Sequence, residues 1–207
     1  MQKQLTEGLL LNKNGNLEEA GYAFSLVRKY DRSQIKGKKW RIKELDYYYI
    51  GNKHYGIALT IADNSYMAMG SVSFLNFDKK CETTKSPMKW FTFGKLKLPS
   101  TSKEGDIKFE SKKLSIYFKH EDGKRHIIVS FKSFEKNKDL KADLYLDETN
   151  EGSMVIATPF KKNRHFYYNQ KINMLKSSGQ VVIGKEVYDF DDDSWGVLDW
   201  GRGVWTY

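Results

Sequence analysis

The chain has 207 residues, of which 40% are hydrophobic and 14% aromatic, so it holds enough apolar side chains for a packed core and does not have the composition of a disordered chain. Its formal net charge of +9 lies almost entirely in residues 1–100, where 17 Lys and Arg outnumber 9 Asp and Glu, a net of +8; residues 101–207 hold 18 and 17, a net of +1. No apolar run approaches the roughly 18 residues that a transmembrane helix needs.

The N-terminus and the cysteine content indicate a compartment. The first residues contain only one short apolar run, Leu9–Leu11, and a signal peptide needs a longer one. Cys81 is the single cysteine, which excludes an internal disulfide and is typical of a reducing environment. We therefore expect a cytoplasmic protein with no transmembrane segment.

The densest basic run is KGKKWRIK at Lys36–Lys43. Such a run is typical of a surface that binds nucleic acid or another polyanion, but it also occurs as a solvated face of lysines. The chain has only six Arg, although base and phosphate recognition favours Arg over Lys. Nucleic acid is therefore an unfavoured partner, and an anionic surface stays open as an alternative.

In chain order, apolar residues recur with period two, which predicts β-strands, and no stretch shows a helical period of useful length. The predicted strands are Trp40–Ile50, 54–63, 65–77, Ile107–Glu110, Leu140–Leu146, Met154–Thr158, Phe166–Met174, Val181–Phe190 and Gly196–Trp205. The clearest hairpin is Leu114–Phe131, in which Asp122-Gly123 suits a type I′ turn and pairs Glu121 with Lys124. The sequence KSSG at Lys176–Gly179 is interpreted as the turn of another hairpin.

Turn signals about every ten residues predict an all-β, antiparallel meander. Closure into a barrel would remove the exposed edges of so long a meander. Strands with small residues on one face and large ones on the other suit a lipocalin-like (calycin) β-barrel with an internal cavity. A β-sandwich is the alternative.

Motifs for metals and common cofactors are missing from the sequence. His54, His120, His126 and His165 have no metal-site spacing, and we interpret them as surface residues. The stretch Asp189–Trp200 has Asp at loop positions one, three and five. Ser194 replaces the glycine of a calcium loop and Trp200 its final acid, so an exposed acidic loop is favoured. No phosphate loop, nucleophile elbow or dinucleotide motif appears. We expect neither a metal nor a cofactor.

The candidate site lies in two aromatic and polar strands near the end of the chain. In FYYNQKIN, Phe166, Tyr168, Gln170 and Ile172 share one face, and Tyr167, Asn169, Lys171 and Asn173 share the other. In LDWGRGVW, Asp199, Gly201, Gly203 and Trp205 share a face opposite Trp200, Arg202 and Val204. The two glycines leave space in front of Asp199, which suits a ligand or a neighbouring strand. Asp199 is either a buried general acid or a structural partner of Arg202, and the spacing favours the structural role.

At these residues the sequence resembles the uncharacterised bacterial family of domains of unknown function 2804. The resemblance rests on FYYNQKIN, GVLDWGRGVWTY, GYAFSLVRKYDRSQI, KELDYYYIGN and MVIATPF, and it spans nearly the whole chain. Members of that family continue past the final motif. The resemblance therefore implies that residues 1–207 form a single lipocalin-like domain, the N-terminal portion of a longer protein with two barrels, and that a C-terminal domain is its missing partner.

At greater distance, the order of these strands is similar to lipocalin-like proteins with two barrels, among them tocopherol cyclase and carotenoid hydratase. Those enzymes protonate an alkene and shelter the cation with aromatic rings. The resemblance implies that Asp199 is a general acid near Trp205, although Trp200, Gly201 and Arg202 stand where that group has a His or Glu. The ligand-binding candidates are Tyr167, Tyr168, Asn169, Lys171, Trp200, Arg202 and Trp205.

Three functions follow as expectations. The first is binding of a hydrophobic or amphipathic small molecule, with acid-catalysed hydratase or cyclase chemistry as an extension. The second is a non-catalytic interaction domain that docks the missing C-terminal half. The third is binding of an anionic surface or nucleic acid through Lys36–Lys43.

Overall fold

The computed structural model describes residues 3–121, 123–148 and 152–206. These residues form sixteen β-strands and two 3-10 turns, Arg32–Gln34 and Lys39–Arg41. The strands are β1 Gly8–Leu9, β2 Gly21–Ala23, β3 Arg28–Lys29, β4 Ile42–Gly51, β5 Tyr55–Asp63, β6 Met67–Asn76, β7 Cys81–Lys85, β8 Met88–Trp90, β9 Ile107–Glu110, β10 Leu114–Glu121, β11 Lys124–Glu135, β12 Lys138–Asp147, β13 Met154–Pro159, β14 Phe166–Ile183, β15 Glu186–Phe190 and β16 Trp195–Val204. The all-β prediction is confirmed. No helix in the described residues is long and apolar enough to cross a bilayer.

Fourteen of these strands belong to one large sheet, in which the hydrogen-bonded order is β7-β6-β5-β4-β16-β14-β12-β11-β10-β9. Strands β7 to β4 form one antiparallel meander and β12 to β9 form another. Strands β16 and β14 lie between the two meanders and join them. The sheet is therefore not a single meander, because the first long strand pairs with the last.

Alternation places every second side chain of the central strands in the core. In β4, Ile42, Glu44, Asp46, Tyr48 and Ile50 are buried, whereas the residues that alternate with them, 43, 45, 47 and 49, are half-buried on the outer face. The same period holds in β16, where Leu198, Trp200 and Val204 are buried. Because a strand turns successive side chains to opposite faces, the sequence pattern alone assigns these residues to the inside.

Strand β14 runs without a break through the predicted KSSG turn, so that prediction is wrong. Its first half pairs with β13 and β16, and its second half pairs with β12 and β15. Gly179 has φ +116°, and a Cβ there would lie 2.1 Å from the carbonyl oxygen of Asp143 on β12. Gly179 therefore allows β14 and β12 to approach each other closely. The turn of the hairpin comes later, at Gly184 and Lys185.

The hairpin of β10 and β11 forms as predicted. Glu121 pairs with Lys124, and the register continues to Leu114 and Phe131. Gly123 has the positive φ, 70°, that the predicted turn requires, and Asp122 lies outside the described residues.

The two ends of the sheet lie face to face. A Cβ at Gly70 of β6 would lie 2.3 Å from the ring of Phe109 in β9, and Lys85 Nζ donates to the carbonyl oxygen of Ser133, 2.9 Å away. In the described residues no ladder joins β7 to β9, so the sheet is open. Closure into a lipocalin-like barrel and the sandwich alternative both stay predictions.

Candidate functional site

The predicted site residues lie on two opposite faces of the sheet. Strands β14 and β16 are neighbours, and their registers pair Lys171 with Asp199 and Tyr168 with Arg202. Tyr167, Asn169, Lys171, Asp199 and Trp205 belong to the outer set, whereas Tyr168, Trp200 and Arg202 belong to the inner set. The alternation of the two strands was correctly predicted, but one small molecule cannot contact both sets at once.

Asp199 lies on the outer face in an ion pair with Lys171. Asn169 Nδ2 donates to Asp199 Oδ1 at 2.5 Å. The side chain of Asp199 is about a quarter exposed. Arg202, the partner considered from the sequence, lies on the other face. The negative charge of Asp199 also contributes to raising the pKa of Tyr47 and Tyr167, although burial is the larger cause for both tyrosines.

The space in front of Asp199 is already filled. A Cβ at Gly201 would lie 3.0 Å from the hydroxyl of Tyr167, and one at Gly203 would lie 2.3 Å from the carbonyl oxygen of Phe166. The ring of Tyr167 also packs on Trp205, with centroids 5.1 Å apart. The two glycines therefore admit the neighbouring strand β14, the second of the two roles considered for them.

On the inner face, Arg202 is fully buried and pairs with Asp46 at 2.7 Å. Its remaining donors reach carbonyl oxygens, among them Leu45 at 2.8 Å and Pro99 at 2.9 Å. The guanidinium lies 4.4 Å from the centroid of the Trp200 ring. With all three nitrogens bonded, Arg202 ties β16 to β4 and to the segment that precedes β9.

Glu44, two residues before Asp46 on the same face of β4, is a second buried carboxylate. It accepts from the hydroxyl of Tyr30 at 2.7 Å and forms an ion pair with Arg32. Burial, followed by the charge of Glu44, raises the pKa of Tyr30 well above its usual value, so Tyr30 stays a neutral donor. The rings of Tyr30 and Tyr168 both meet Trp200 edge-on.

A cavity of about 330 Å³ lies where β14 passes from one half of the sheet to the other. It is lined by Phe24, Ser25, Ser102, Lys103, Arg125, Glu148, Ser153, Gln170, Ile172 and Leu175. Arg125 comes from β11 of the second meander, Gln170, Ile172 and Leu175 come from β14, and the other lining residues come from connecting segments. We call this cavity the Arg125 pocket.

Arg125 is the buried charge of the pocket. Its Nη2 donates to the carbonyl oxygen of Ser102 at 2.7 Å and lies 3.1 Å from Glu148 Oε1. Its Nη1 donates to the hydroxyl of Tyr48 at 3.0 Å and lies 2.8 Å from His120 Nε2. Its Nε is buried and has no hydrogen-bond partner. A buried donor without a partner is costly, and Nε is the one nitrogen of this guanidinium that still lacks an acceptor.

Gln170 supplies the second polar group of the pocket. Its Nε2 donates to Ser153 Oγ at 2.7 Å, and its Oε1 accepts from Ser102 Oγ at 2.5 Å. Ile172 and Leu175, further along β14, give the wall its apolar surface. The pocket thus combines a guanidinium, an amide and hydroxyl groups with aliphatic side chains, the mixture found in small-molecule sites.

Sequence reasoning did not select this pocket. It grouped Gln170 with the inward-facing Phe166, Tyr168 and Ile172, and a polar residue in an apolar face was the available signal. Arg125 carried a similar signal, because it precedes the apolar run Ile127–Val129 in a predicted strand.

The interpretation of the histidines as surface residues is wrong for His126 and His165, which are buried. His126 lies between Glu121 at 3.1 Å and Asp143 at 2.8 Å and stacks on Tyr145. His120 pairs with Arg125 across the hairpin, which keeps it out of register with His126 as predicted. Within the described ranges no three His, Cys, Asp or Glu side chains come together as a set of metal ligands.

A family model described as a domain of unknown function, DUF2804, matches residues 2–207. The chain belongs to the DUF2804 family. The resemblance seen in the strand motifs is thereby confirmed, and the Arg125 pocket is a feature of a DUF2804 domain. No curated protein is similar enough to count as a match.

Two solved structures resemble this DUF2804 chain. One is a candidate AttH protein from Nitrosomonas europaea, with a TM-score of 0.52, 11% identity, and coverage of 86% of this chain and 56% of that chain. The other is kievitone hydratase from Nectria haematococca, with a TM-score of 0.47, 12% identity, and coverage of 95% and 57%. The first likeness shows a shared fold and the second is too weak to support an argument. The chain spans a little over half of the length of either structure.

Proposed function

We propose that the Arg125 pocket binds a small amphipathic molecule whose polar head carries oxygen acceptors. The observation that carries the proposal is a cavity of about 330 Å³ lined by a buried guanidinium whose Nε has no partner. A head-group oxygen would accept from Nε, and the apolar part would lie against Ile172 and Leu175. The volume falls in the range of small-ligand sites.

The positive charge of the Arg125 guanidinium favours an acceptor with partial or full negative charge. Glu148 is the only carboxylate among the described lining residues, and it is partly exposed at 3.1 Å from Nη2. A ligand carboxylate or carbonyl would therefore compete with Glu148 for the guanidinium. Burial raises the pKa of Tyr48 to about 12, so its hydroxyl stays neutral and continues to hold Nη1 in place at any moderate pH.

The structure supports binding more directly than catalysis. Hydratase or cyclase chemistry, which the resemblance to the tocopherol cyclase group implies, needs an acid beside the ligand. Asp199 lies on the face of the sheet opposite the inward-facing Gln170 and is occupied by Lys171 and Asn169. A general-acid role for Asp199 therefore requires a second ligand site on the outer face, and it stays a separate proposal.

Isothermal titration calorimetry with decanoate tests the binding proposal, because decanoate joins a carboxylate to a flexible apolar chain. Decanol is the neutral control ligand. Arg125→Met keeps much of the apolar stem and removes the guanidinium, and we expect it to weaken decanoate binding by about tenfold to hundredfold, since hydrogen bonds to charged groups contribute about 1.5–3 kcal/mol.

Arg164→Met is the matched control variant, because Arg164 is exposed and lies outside the pocket lining. It should bind decanoate like the unaltered protein. Equal affinities in Arg125→Met and Arg164→Met, with both proteins folded, would contradict the proposed site.

A further inference from the structure

The segment Met88–Phe93 exposes four large apolar side chains in six residues. Met88 is 49% exposed, Trp90 65%, Phe91 66% and Phe93 50%. Soluble proteins rarely expose contiguous apolar patches of this kind without an interaction that uses them. Because the fold of the pocket does not need these side chains, they point to a second function.

The segment is held in a fixed shape. The backbone N–H of Phe91 donates to the carbonyl oxygen of Tyr66 at 2.7 Å, and that of Phe93 donates to Ser65 at 2.9 Å. Between them, Thr92 is buried and its hydroxyl donates to the buried carboxylate of Asp63 at 2.9 Å. Thr92 is therefore an anchor, and both phenylalanines project away from it.

Both phenylalanines have left-handed backbone conformations, with φ 55° at Phe91 and 49° at Phe93. A bulky residue seldom adopts this conformation, and strain of this kind collects at functional sites. Their rings lie nearly parallel with centroids 6.5 Å apart. The strained backbone at Phe91 and Phe93 therefore holds two aromatic rings side by side and exposed to solvent.

Basic side chains surround the aromatic segment. Lys89, Lys95 and Lys97 lie within or just after it, and residues 85–97 contain no Asp or Glu. The run Lys36–Lys43 reaches it at Ile42, because Ser65, which holds Phe93, also donates from Oγ to the carbonyl oxygen of Ile42 at 2.9 Å. At the other end of the run, Lys36 Nζ donates to the carbonyl oxygen of Lys13 at 2.6 Å. This run adds four Lys, one Arg and the exposed Trp40 without any acidic residue.

We propose that this aromatic-basic surface, formed by Met88–Lys97 together with Lys36–Lys43, docks on the surface of an anionic phospholipid bilayer. Aromatic and apolar side chains enter the interfacial region of a bilayer, and neighbouring lysines are attracted to anionic head groups. The net positive charge of residues 1–100 is opposite in sign to such a surface and is attracted to it. This function is additional to binding in the Arg125 pocket.

The composition favours lipid over other polyanions and over protein. Of the eight basic residues in the two segments, seven are Lys, whereas nucleic-acid recognition favours Arg. The one Arg, Arg41, lies 4.1 Å from the centroid of the Trp40 ring. Lysine is depleted from protein interfaces, which use aromatic residues with Arg instead.

Sedimentation with vesicles tests the proposal on the whole chain. The vesicles are phosphatidylcholine alone and phosphatidylcholine with 30% phosphatidylglycerol as the anionic lipid. We expect binding to the anionic vesicles only, with a loss of at least tenfold when NaCl rises from 50 to 500 mM. The double variant Phe91→Asn, Phe93→Asn should lose at least tenfold as well, because asparagine accepts the left-handed backbone and removes the apolar surface.

Met174→Asn is the matched control, since Met174 is 58% exposed and has φ 58° but lies on β14. It should bind vesicles like the unaltered chain. A triple variant, Lys36→Gln, Lys38→Gln, Lys39→Gln, provides a second test that leaves the aromatic segment and its backbone intact, and it should weaken vesicle binding severalfold.

Several results would overturn the proposal. The first is that the chain does not sediment with anionic vesicles. The second is that Met174→Asn loses as much vesicle binding as the double phenylalanine variant. The third is that neither the phenylalanine variant nor the lysine variant loses vesicle binding. Binding of a single-stranded oligonucleotide without vesicle binding would assign the surface to nucleic acid. Self-association in sedimentation velocity that only the phenylalanine variant abolishes, without vesicle binding, would assign it to a second copy of the chain.

Discussion

Two buried arginines explain why the candidate site in the structure is the Arg125 pocket and not the predicted site around Arg202. Arg202, which the sequence placed in the site, has partners for Nε, Nη1 and Nη2 within the sheet. Arg125 has partners for both Nη atoms and none for Nε, and it lines a cavity. A satisfied buried ion pair is expected to have a structural role, whereas the unpaired Nε of Arg125 lacks an acceptor, which we propose that a ligand supplies.

At the same scale, Asp199→Asn tests whether Asp199 takes part in ligand binding. Because the ion pair with Lys171 is partly exposed on both sides, we expect a loss of no more than about 1 kcal/mol in the free energy of unfolding measured in urea. Decanoate affinity should not change, since Asp199 is not among the residues that line the Arg125 pocket. A loss of decanoate binding in a folded Asp199→Asn protein would indicate that the ligand binds on the outer face of the sheet and not in the Arg125 pocket.

At the scale of elements, period-two alternation correctly assigned the faces of β14 and β16, and the Asp122-Gly123 turn signal correctly gave the register of the β10–β11 hairpin. The turn predicted at Lys176–Gly179 is wrong, because a glycine signal is the same for a turn and for close approach of two strands. The Arg125 pocket was beyond prediction for another reason. Its Ser102, Arg125 and Gln170 come from segments far apart in the chain. The pairing of β11 with β12 and of β12 with β14, and the hydrogen bonds of Ser102 to Arg125 and Gln170, bring them together.

Gly179→Ala tests the continuity of β14. The added Cβ would meet the backbone of Asp143 and Leu144 and would sit at φ +116°, so we expect a loss of about 2–4 kcal/mol in the free energy of unfolding. Gly123→Ala is the control, because Gly123 also has positive φ but no atom lies within 4 Å of its added Cβ. It should lose only about 1 kcal/mol. Equal losses in urea unfolding would contradict the close contact of β12 and β14.

At the scale of the whole molecule, the DUF2804 domain carries two surfaces with different chemistry. The Arg125 pocket lies at the junction of the two meanders, and the aromatic-basic surface is built on the turn between β5 and β6 and on the entry to β4. An amphipathic ligand for the first and an anionic lipid surface for the second are chemically compatible, because lipid surfaces hold amphipathic molecules. The two proposals nevertheless depend on different residues and fail independently.

The central claim is the place at which a small molecule binds, and amide chemical shifts measure that place directly. We would titrate ¹⁵N-labelled protein with decanoate and follow the two-dimensional ¹H–¹⁵N spectrum. We predict saturable shifts centred on Ser102, Arg125 and Gln170. Shifts centred instead on Tyr167, Lys171 and Asp199 would contradict this prediction and would support a site on the outer face of the sheet.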